Sequence, residues 1–175
     1  MPPIVHGFDW PERLVVGTVG RPGERAFYLQ ARDGRRVTSV ALEKEQSAVL
    51  ADKVAELLDE VATVEDNRFS VPTAAPTELR DAAPLDQPVE PEFRAGALSL
   101  GFDPATAQVV IEAYPIEEDL EILTETDEVG DEVETVVEIP EPAEVFQVKI
   151  PVGSARAFVE RTREVIAAGR RPGDA

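Results

Sequence analysis

The sequence predicts an α+β protein made of two βββα units. We expect a mostly antiparallel six-stranded sheet with two helices on one face. Two observations support this prediction: short apolar alternations occur in groups of three, and an apolar pattern of helical period follows each group. The 175 residues suffice for a single domain, 1–175, with a core of its own.

The first unit covers residues 12–62. Its strands are predicted at 12–18, 25–32 and 35–43, and Asp33-Gly34 between the last two is typical of a two-residue hairpin turn. The helix that follows is predicted from one apolar stripe with i, i+4, i+7 spacing, made of Leu50, Val54, Leu57, Leu58 and Val61.

The second unit covers residues 93–168. Its strands are predicted at 93–102, 107–114 and 144–150, followed by a helix over about 155–168 with Ser154 as N-cap. Adding 108 to the positions of Val37, Val40 and Leu50 gives Val145, Val148 and Phe158. This match favours an internal duplication, with shared patterning as the alternative.

Two segments interrupt the pattern. Residues 70–92 are rich in proline and lack periodicity, which predicts a linker or an extended segment along the sheet edge. The acidic insertion, residues 117–144, carries 13 Asp or Glu and no Lys or Arg. A solvated acidic loop is expected, with a site for a cation or a basic partner as the alternative. Valines such as Val133 and Val136 also indicate that part of it adds a strand or packs down.

The composition argues against several classes of function. A net charge of −18 disfavours nucleic acid and anionic membranes as partners. No apolar run could span a bilayer and no signal peptide is recognisable, so we expect a cytoplasmic protein. With no cysteine and one histidine the usual zinc ligand sets are lacking, and no metal or cofactor is predicted. The histidine, His6, is expected in a proline-rich tail as a surface or packing residue, and no catalytic residue is assigned.

The stretch GTVGRPGER, residues 17–25, is the strongest candidate for a contact site. It lacks the G-K-[ST] ending of a phosphate loop and precedes a strand rather than a helix, so a turn between strands is the better interpretation. Arginines are concentrated around it, and a basic face of this kind binds phosphate or carboxylate groups. The alternatives are that this face docks on the acidic loop of the same chain, or that these are ordinary solvated strand-edge charges. The predicted contact residues are Gly17, Thr18, Gly20, Arg21, Gly23, Arg25, Gln30, Arg32 and Glu43.

These residues predict a binding or adaptor protein. The alternative is an enzyme acting on a phosphorylated or nucleotide-like small molecule, with Glu24 or Glu43 working beside Arg25 and Arg32. A pocket of about 300 Å³ or more with convergent arginines and a buried carboxylate would favour the enzyme.

Two long phrases resemble a known family. GTVGRPGERAFYLQARDGRRVTSVALEKEQSAVLADKVAELLDEV (17–61) and FQVKIPVGSARAFVERTREVIAAGRRP (146–172) are similar to an uncharacterised actinobacterial family of conserved hypothetical proteins, a domain of unknown function. The resemblance implies a Cys-rich, zinc-ribbon-like C-terminal tail. Either this member lacks that tail or the chain ends early, so a zinc role is not carried over. The resemblance also implies a partnership with a lipid-kinase-like protein encoded nearby.

Overall fold

The structure is a computed structural model. It describes residues 3–21, 23–64, 68–116 and 143–168, together with the backbone of residues 121–126 and 132–138. Its elements in chain order are β1 (Ile4–Asp9), β2 (Arg13–Val19), β3 (Ala26–Asp33), β4 (Arg36–Leu42), α1 (Lys44–Ala62), a 3₁₀ turn (Thr77–Leu79), β5 (Pro91–Asp103), β6 (Gln108–Pro115), β7 (Glu121–Thr126), β8 (Glu132–Glu138), β9 (Glu144–Pro151) and α2 (Val152–Ala168).

The main sheet has seven strands in the order β1-β9-β6-β5-β4-β3-β2. Strands β1 and β9 pair in parallel, as do β4 and β5, and the other neighbours are antiparallel. The α+β class with two helices and a large sheet is confirmed. The prediction of six mostly antiparallel strands is wrong, because the sheet is mixed and has a seventh strand, β1. The strands β7 and β8 of the acidic insertion pair with each other in a separate two-stranded sheet.

The sequence analysis missed the seventh strand, β1, because prolines flank it and its short sequence alternates only weakly. It contains His6, which we expected in an irregular tail, and it runs alongside β9 with His6 opposite Phe146. Its anchor is Phe8, which is buried and lies against the ring of Phe146 with centroids 5.9 Å apart.

The sheet curls so that its two edge strands approach each other. Strands β1 and β2 form opposite edges, yet only residues 10–12 connect them. Four residue steps span at most about 14 Å, so the edges must converge at this end. Arg36 of β4 reaches across, because its guanidinium donates to the Gly7 carbonyl and lies 3.9 Å from the Phe8 ring centroid. The other edge strand, β2, is held by helix α2, because Arg161 Nε donates to the Val16 carbonyl at 3.0 Å.

One apolar core joins the strands of the main sheet to both helices. It includes Leu29, Val40, Ile111 and Phe158. The predicted stripe of α1 lies in or against this core, since Leu50, Val54, Leu58 and Val61 are buried and Leu57 is partly buried. Helix α2 begins at Val152, two residues before the predicted cap at Ser154. Among the described residues, neither helix combines the length and apolar character needed to cross a membrane.

The proline-rich segment does not stand away from the protein. Leu85 and Asp86 lie over the face of β2 and β3 that carries Gly17, Gln30 and Arg32. Leu85 is buried and so close to Gly17 that a Cβ there would meet its Cδ2 at 2.4 Å. The segment therefore covers part of the sheet that the sequence analysis had left for a ligand.

Candidate functional site

A groove of about 450 Å³ opens where β3 begins and β4 passes into α1. It is lined by Gly23, Arg25, Ala26, Phe27, Tyr28, Ala41, Leu42, Glu43, Lys44 and Arg94. Three of these residues are cationic and one is anionic, in a chain whose net charge is −18. We call this feature the cationic groove.

Two of the cations in the groove have no internal partner. In the part of the chain that the structure describes, neither Arg25 nor Lys44 forms an ion pair or a side-chain hydrogen bond. The Nε atom of Arg25 is also shielded from solvent without a hydrogen-bond partner. Arg32 Nε is shielded in the same way, so the unpaired charge of Arg25, and not this atom, distinguishes the groove.

The third cation, Arg94, reaches the groove from β5. Parallel pairing of β4 with β5 sets it opposite Ala41, and its guanidinium pairs with Glu43. Glu43 precedes α1 as its N-cap, and its backbone N–H donates to Gln46 Oε1 at 2.8 Å. The side chains of Glu43 and Arg94 are both more than half exposed. Their ion pair at the rim of the groove is therefore weak and can open and re-form.

The glycine-rich turn borders the groove. Gly20 and Gly23 have φ angles of 110° and 91°, which only glycine adopts readily, and the Glu24 N–H donates to the Arg21 carbonyl at 2.9 Å. Gly23 lines the groove itself, and Arg21 lies in the exposed part of the turn. The glycines thus reverse the chain between β2 and β3 and leave Arg25 at the mouth of the groove.

The other predicted contact residues lie elsewhere. Gln30 is buried, and its amide bonds Ser39 Oγ, the Asp86 carbonyl and the Asp86 N–H. Arg32 donates to Asp86 Oδ1 at 3.0 Å. Arg32 lies about 23 Å from Arg25 along the strand. Gly17 lies beneath Leu85, and with Thr18 it lines a shallower depression of about 380 Å³ between the proline-rich segment and α2. The structure therefore brings Gly23, Arg25 and Glu43 together and leaves Gln30 and Arg32 in an internal network.

The centre of that network is Arg13, which the sequence analysis missed. It is 8% exposed and donates to both carboxylate oxygens of Asp81, to Asp86 Oδ2 and to the Ala83 carbonyl. Burial alone would raise the pKa of Asp81. Hydrogen bonds from Arg13 and from the Ala83 N–H, with the charges of Arg13 and Arg161, outweigh burial and lower that pKa below its usual value. These contacts tie the proline-rich segment to β2 and α2.

The groove meets only part of the condition set for an enzyme. Its volume exceeds the threshold and cations converge on it, but Glu43 is exposed and paired with Arg94. Glu24 is exposed in the turn and does not line the groove. Neither carboxylate is held in the desolvated position that would tune it as a general acid or base.

Two groove residues, Lys44 and Arg94, were missed by the sequence analysis. Lys44 is exposed at the first residue of α1, and no local pattern indicates that this end of the helix adjoins the start of β3. Arg94 comes close only through the pairing of β4 with β5, whose partners are separated by the whole of α1 and the proline-rich segment. No local pattern could have indicated it.

The structure defines an α+β protein with one large mixed sheet, two helices and a cationic groove. The chain belongs to the family described as "Protein of unknown function (DUF3090)", which it matches over residues 6–174. The resemblance to a domain of unknown function is thus confirmed, and the family description assigns no activity. No curated protein and no solved structure matches the chain.

Proposed function

We propose that the protein is a cytoplasmic binding or adaptor module whose cationic groove holds an anionic group of its ligand or partner. One observation supports this above the others: Arg25 and Lys44 line a groove of about 450 Å³ and have no partner among the described residues. Elsewhere in the molecule, arginines such as Arg13 and Arg161 are engaged in internal contacts. Arginine and lysine that fold stability does not use are available for recognition.

The chemistry of the groove favours phosphate or clustered carboxylates. Arg25 offers a planar fork of donors, and Lys44 offers a point charge at the first residue of α1, where the helix dipole is also positive. Tyr28 and Phe27 add aromatic surface beside these charges. A phosphorylated or acidic segment of a protein fits this combination. The lipid-kinase-like protein implied by the family resemblance is the first partner to test.

The second candidate is an enzyme acting on a phosphorylated small molecule. The groove volume supports it, because pockets of this size hold small ligands. We prefer the binding role because Glu43, the one carboxylate among the described residues that line the groove, is exposed and ion-paired.

A thermal-shift screen with phosphate, pyrophosphate, citrate and phosphorylated peptides tests the proposal. A ligand at 100 times its dissociation constant adds about 2.7 kcal/mol to the free energy of unfolding, which shifts the melting temperature measurably. We expect Arg25→Ala and Lys44→Ala to reduce the shift. The matched control is Arg35→Ala, which removes an exposed arginine that lies outside the groove and forms no ion pair with the residues that the structure describes. An equal loss with Arg35→Ala, or no loss with the groove variants, would contradict the proposal.

A further inference from the structure

A second cluster of functional side chains lies near the start of β5, where Glu92 comes two residues before Arg94 of the groove. It consists of His6 on β1, Glu92 on β5 and Glu144 on β9. One ligand atom from each residue lies within 4.8 Å of the other two, and His6 Nε2 is 3.0 Å from Glu144 Oε2. The three side chains therefore converge on one point.

The backbone holds these residues in place. Strands β1 and β9 pair in parallel with Ile4 opposite Glu144, which sets His6 close to the start of β9. The His6 ring lies beside Phe93, with centroids 6.5 Å apart, so its position is also limited by packing. His6 and Glu144 are about four-fifths buried, while Glu92 is exposed and free to rotate. Two donors are thus preorganised, and the third can adjust.

The charges of the cluster are unbalanced. In the described residues, neither Glu92 nor Glu144 forms an ion pair with Lys or Arg, and His6 is the basic side chain that contacts Glu144. Two carboxylates with oxygen atoms within 4.8 Å of each other are an arrangement that a divalent ion would stabilise.

We infer that His6, Glu92 and Glu144 form a binding site for a divalent transition-metal ion, for which Zn²⁺ is the best match. One imidazole nitrogen and two carboxylate oxygens are a donor set that Zn²⁺ accepts, and tetrahedral donors at its usual bond lengths lie about 3.4 Å apart. The observed spacings, 3.0 Å between His6 Nε2 and Glu144 Oε2 and at most 4.8 Å within the cluster, are close to that value. Calcium would need about six or more oxygen ligands, so this mixed set disfavours it. Three protein ligands leave a coordination position for water.

The sequence could not indicate this site. The usual zinc motifs place ligands a few residues apart, whereas these three come from strands far apart in the chain. The expectation that one histidine and no cysteine exclude a metal site considered only those motifs. None of the three residues lines the cationic groove, and the site does not depend on the function proposed for that groove.

The test is a calorimetric titration of the full chain with ZnCl₂ at pH 7.5, together with NMR of the single imidazole. We expect one Zn²⁺ per chain and a change in the His6 ring resonances at the same stoichiometry. Glu144→Gln and Glu92→Gln should each weaken binding at least about tenfold. The matched control Glu78→Gln, which neutralises an exposed glutamate on the 3₁₀ turn, should bind as the wild type does.

A second control separates this cluster from the part of the acidic insertion that precedes Glu144. The double variant Glu132→Gln/Glu134→Gln lowers the charge of the insertion, and it should retain the tight Zn²⁺ site. Unchanged His6 resonances at saturating Zn²⁺ would overturn the inference. Wild-type affinity in both Glu92→Gln and Glu144→Gln would overturn it too, as would loss of binding only in the insertion variant. Circular dichroism melting curves confirm that every variant is folded.

Discussion

At the scale of single residues, the partner of each arginine decides its role. Arg13, Arg156 and Arg161 are buried, and each donates to at least one carboxylate and one backbone carbonyl. Arg25 is half-buried and has no partner among the described residues. The sequence presents these residues as equivalent, because composition shows where an arginine is but not what it contacts. For this reason Arg25 and Arg32 were predicted to act together, although the structure ties only Arg32 to the proline-rich segment.

Gly17 is required for close packing. An alanine Cβ at this position would lie 2.4 Å from Leu85 Cδ2, whereas one at Gly101 would meet nothing within 4 Å. We expect Gly17→Ala to lower the free energy of unfolding by about 1–3 kcal/mol through overpacking. Gly101→Ala should change it by less than about 0.5 kcal/mol or raise it slightly. Urea denaturation measures both variants, and equal effects would contradict this account of Gly17.

Asp81 makes stability depend on pH. Because its pKa is lower in the folded protein than the unfolded value of about 3.9, the ionised form contributes stability above that value. That contribution is lost as the pH falls through the folded pKa. Asp81→Asn should therefore flatten the fall in the free energy of unfolding between about pH 5 and pH 3.

At pH 7 the same variant should destabilise the protein by about 1.5–3 kcal/mol, since Arg13 and Arg161 lose a charged acceptor. The control is Asp52→Asn, which breaks an exposed pair with Arg163 and should cost less than about 1 kcal/mol. Denaturation curves from pH 3 to 7 test both points. An Asp81→Asn profile parallel to that of the wild type would be the contrary result.

At the scale of elements, the strands and helices that were predicted have local sequence patterns. The strand that was not predicted is defined by pairing with a distant part of the chain. The hairpin of β3 and β4 and the stripe of α1 were recognisable because their signals lie within a few residues. Strand β1 was not, since its partner β9 lies far along the chain and a parallel pair leaves no turn signal. The internal duplication stays a prediction.

The proline-rich segment behaves as part of the fold. The Asp86 N–H donates to Gln30 Oε1 at 2.8 Å, although Asp86 lies outside helices and strands. Hydrogen exchange by NMR should find this amide protected, and Gln30→Ala should expose it while the amides of β3 stay protected. If the Asp86 amide of the wild type exchanged as fast as in a free peptide, the segment would be a loose linker.

Strand β1 depends on one buried side chain. Phe8 is 3% exposed, whereas Val5 on the same strand is 56% exposed. Phe8→Ala should lower the free energy of unfolding by about 3–5 kcal/mol because it leaves a cavity beside Phe146. Val5→Ala should change it by no more than about 0.5 kcal/mol. Chemical denaturation compares them, and a small effect of Phe8→Ala would mean that β1 is not part of the stable sheet.

At the scale of the whole molecule, the charge distribution carries the functional argument. A chain of net charge −18 repels most anions, so an anion binds only where the local charge is positive. The cationic groove is such a positively charged region, with Arg25 and Lys44 beside the first turn of α1. The surrounding negative charge would also reject weakly matched anions, which favours ligands that engage both cations.

The most direct measurement is a titration of ¹⁵N-labelled protein with pyrophosphate, followed by backbone amide chemical shifts. Our account predicts saturable shifts at residues 23–28 and 41–46, which line or adjoin the groove, with little change around Arg35 at the opposite end of β3 and β4. In Arg25→Ala the same titration should saturate at a concentration at least about tenfold higher, the effect of losing roughly 1.4 kcal/mol of binding free energy. Shifts spread evenly over the surface, shifts centred on Arg35, or no saturation in the wild type would contradict it.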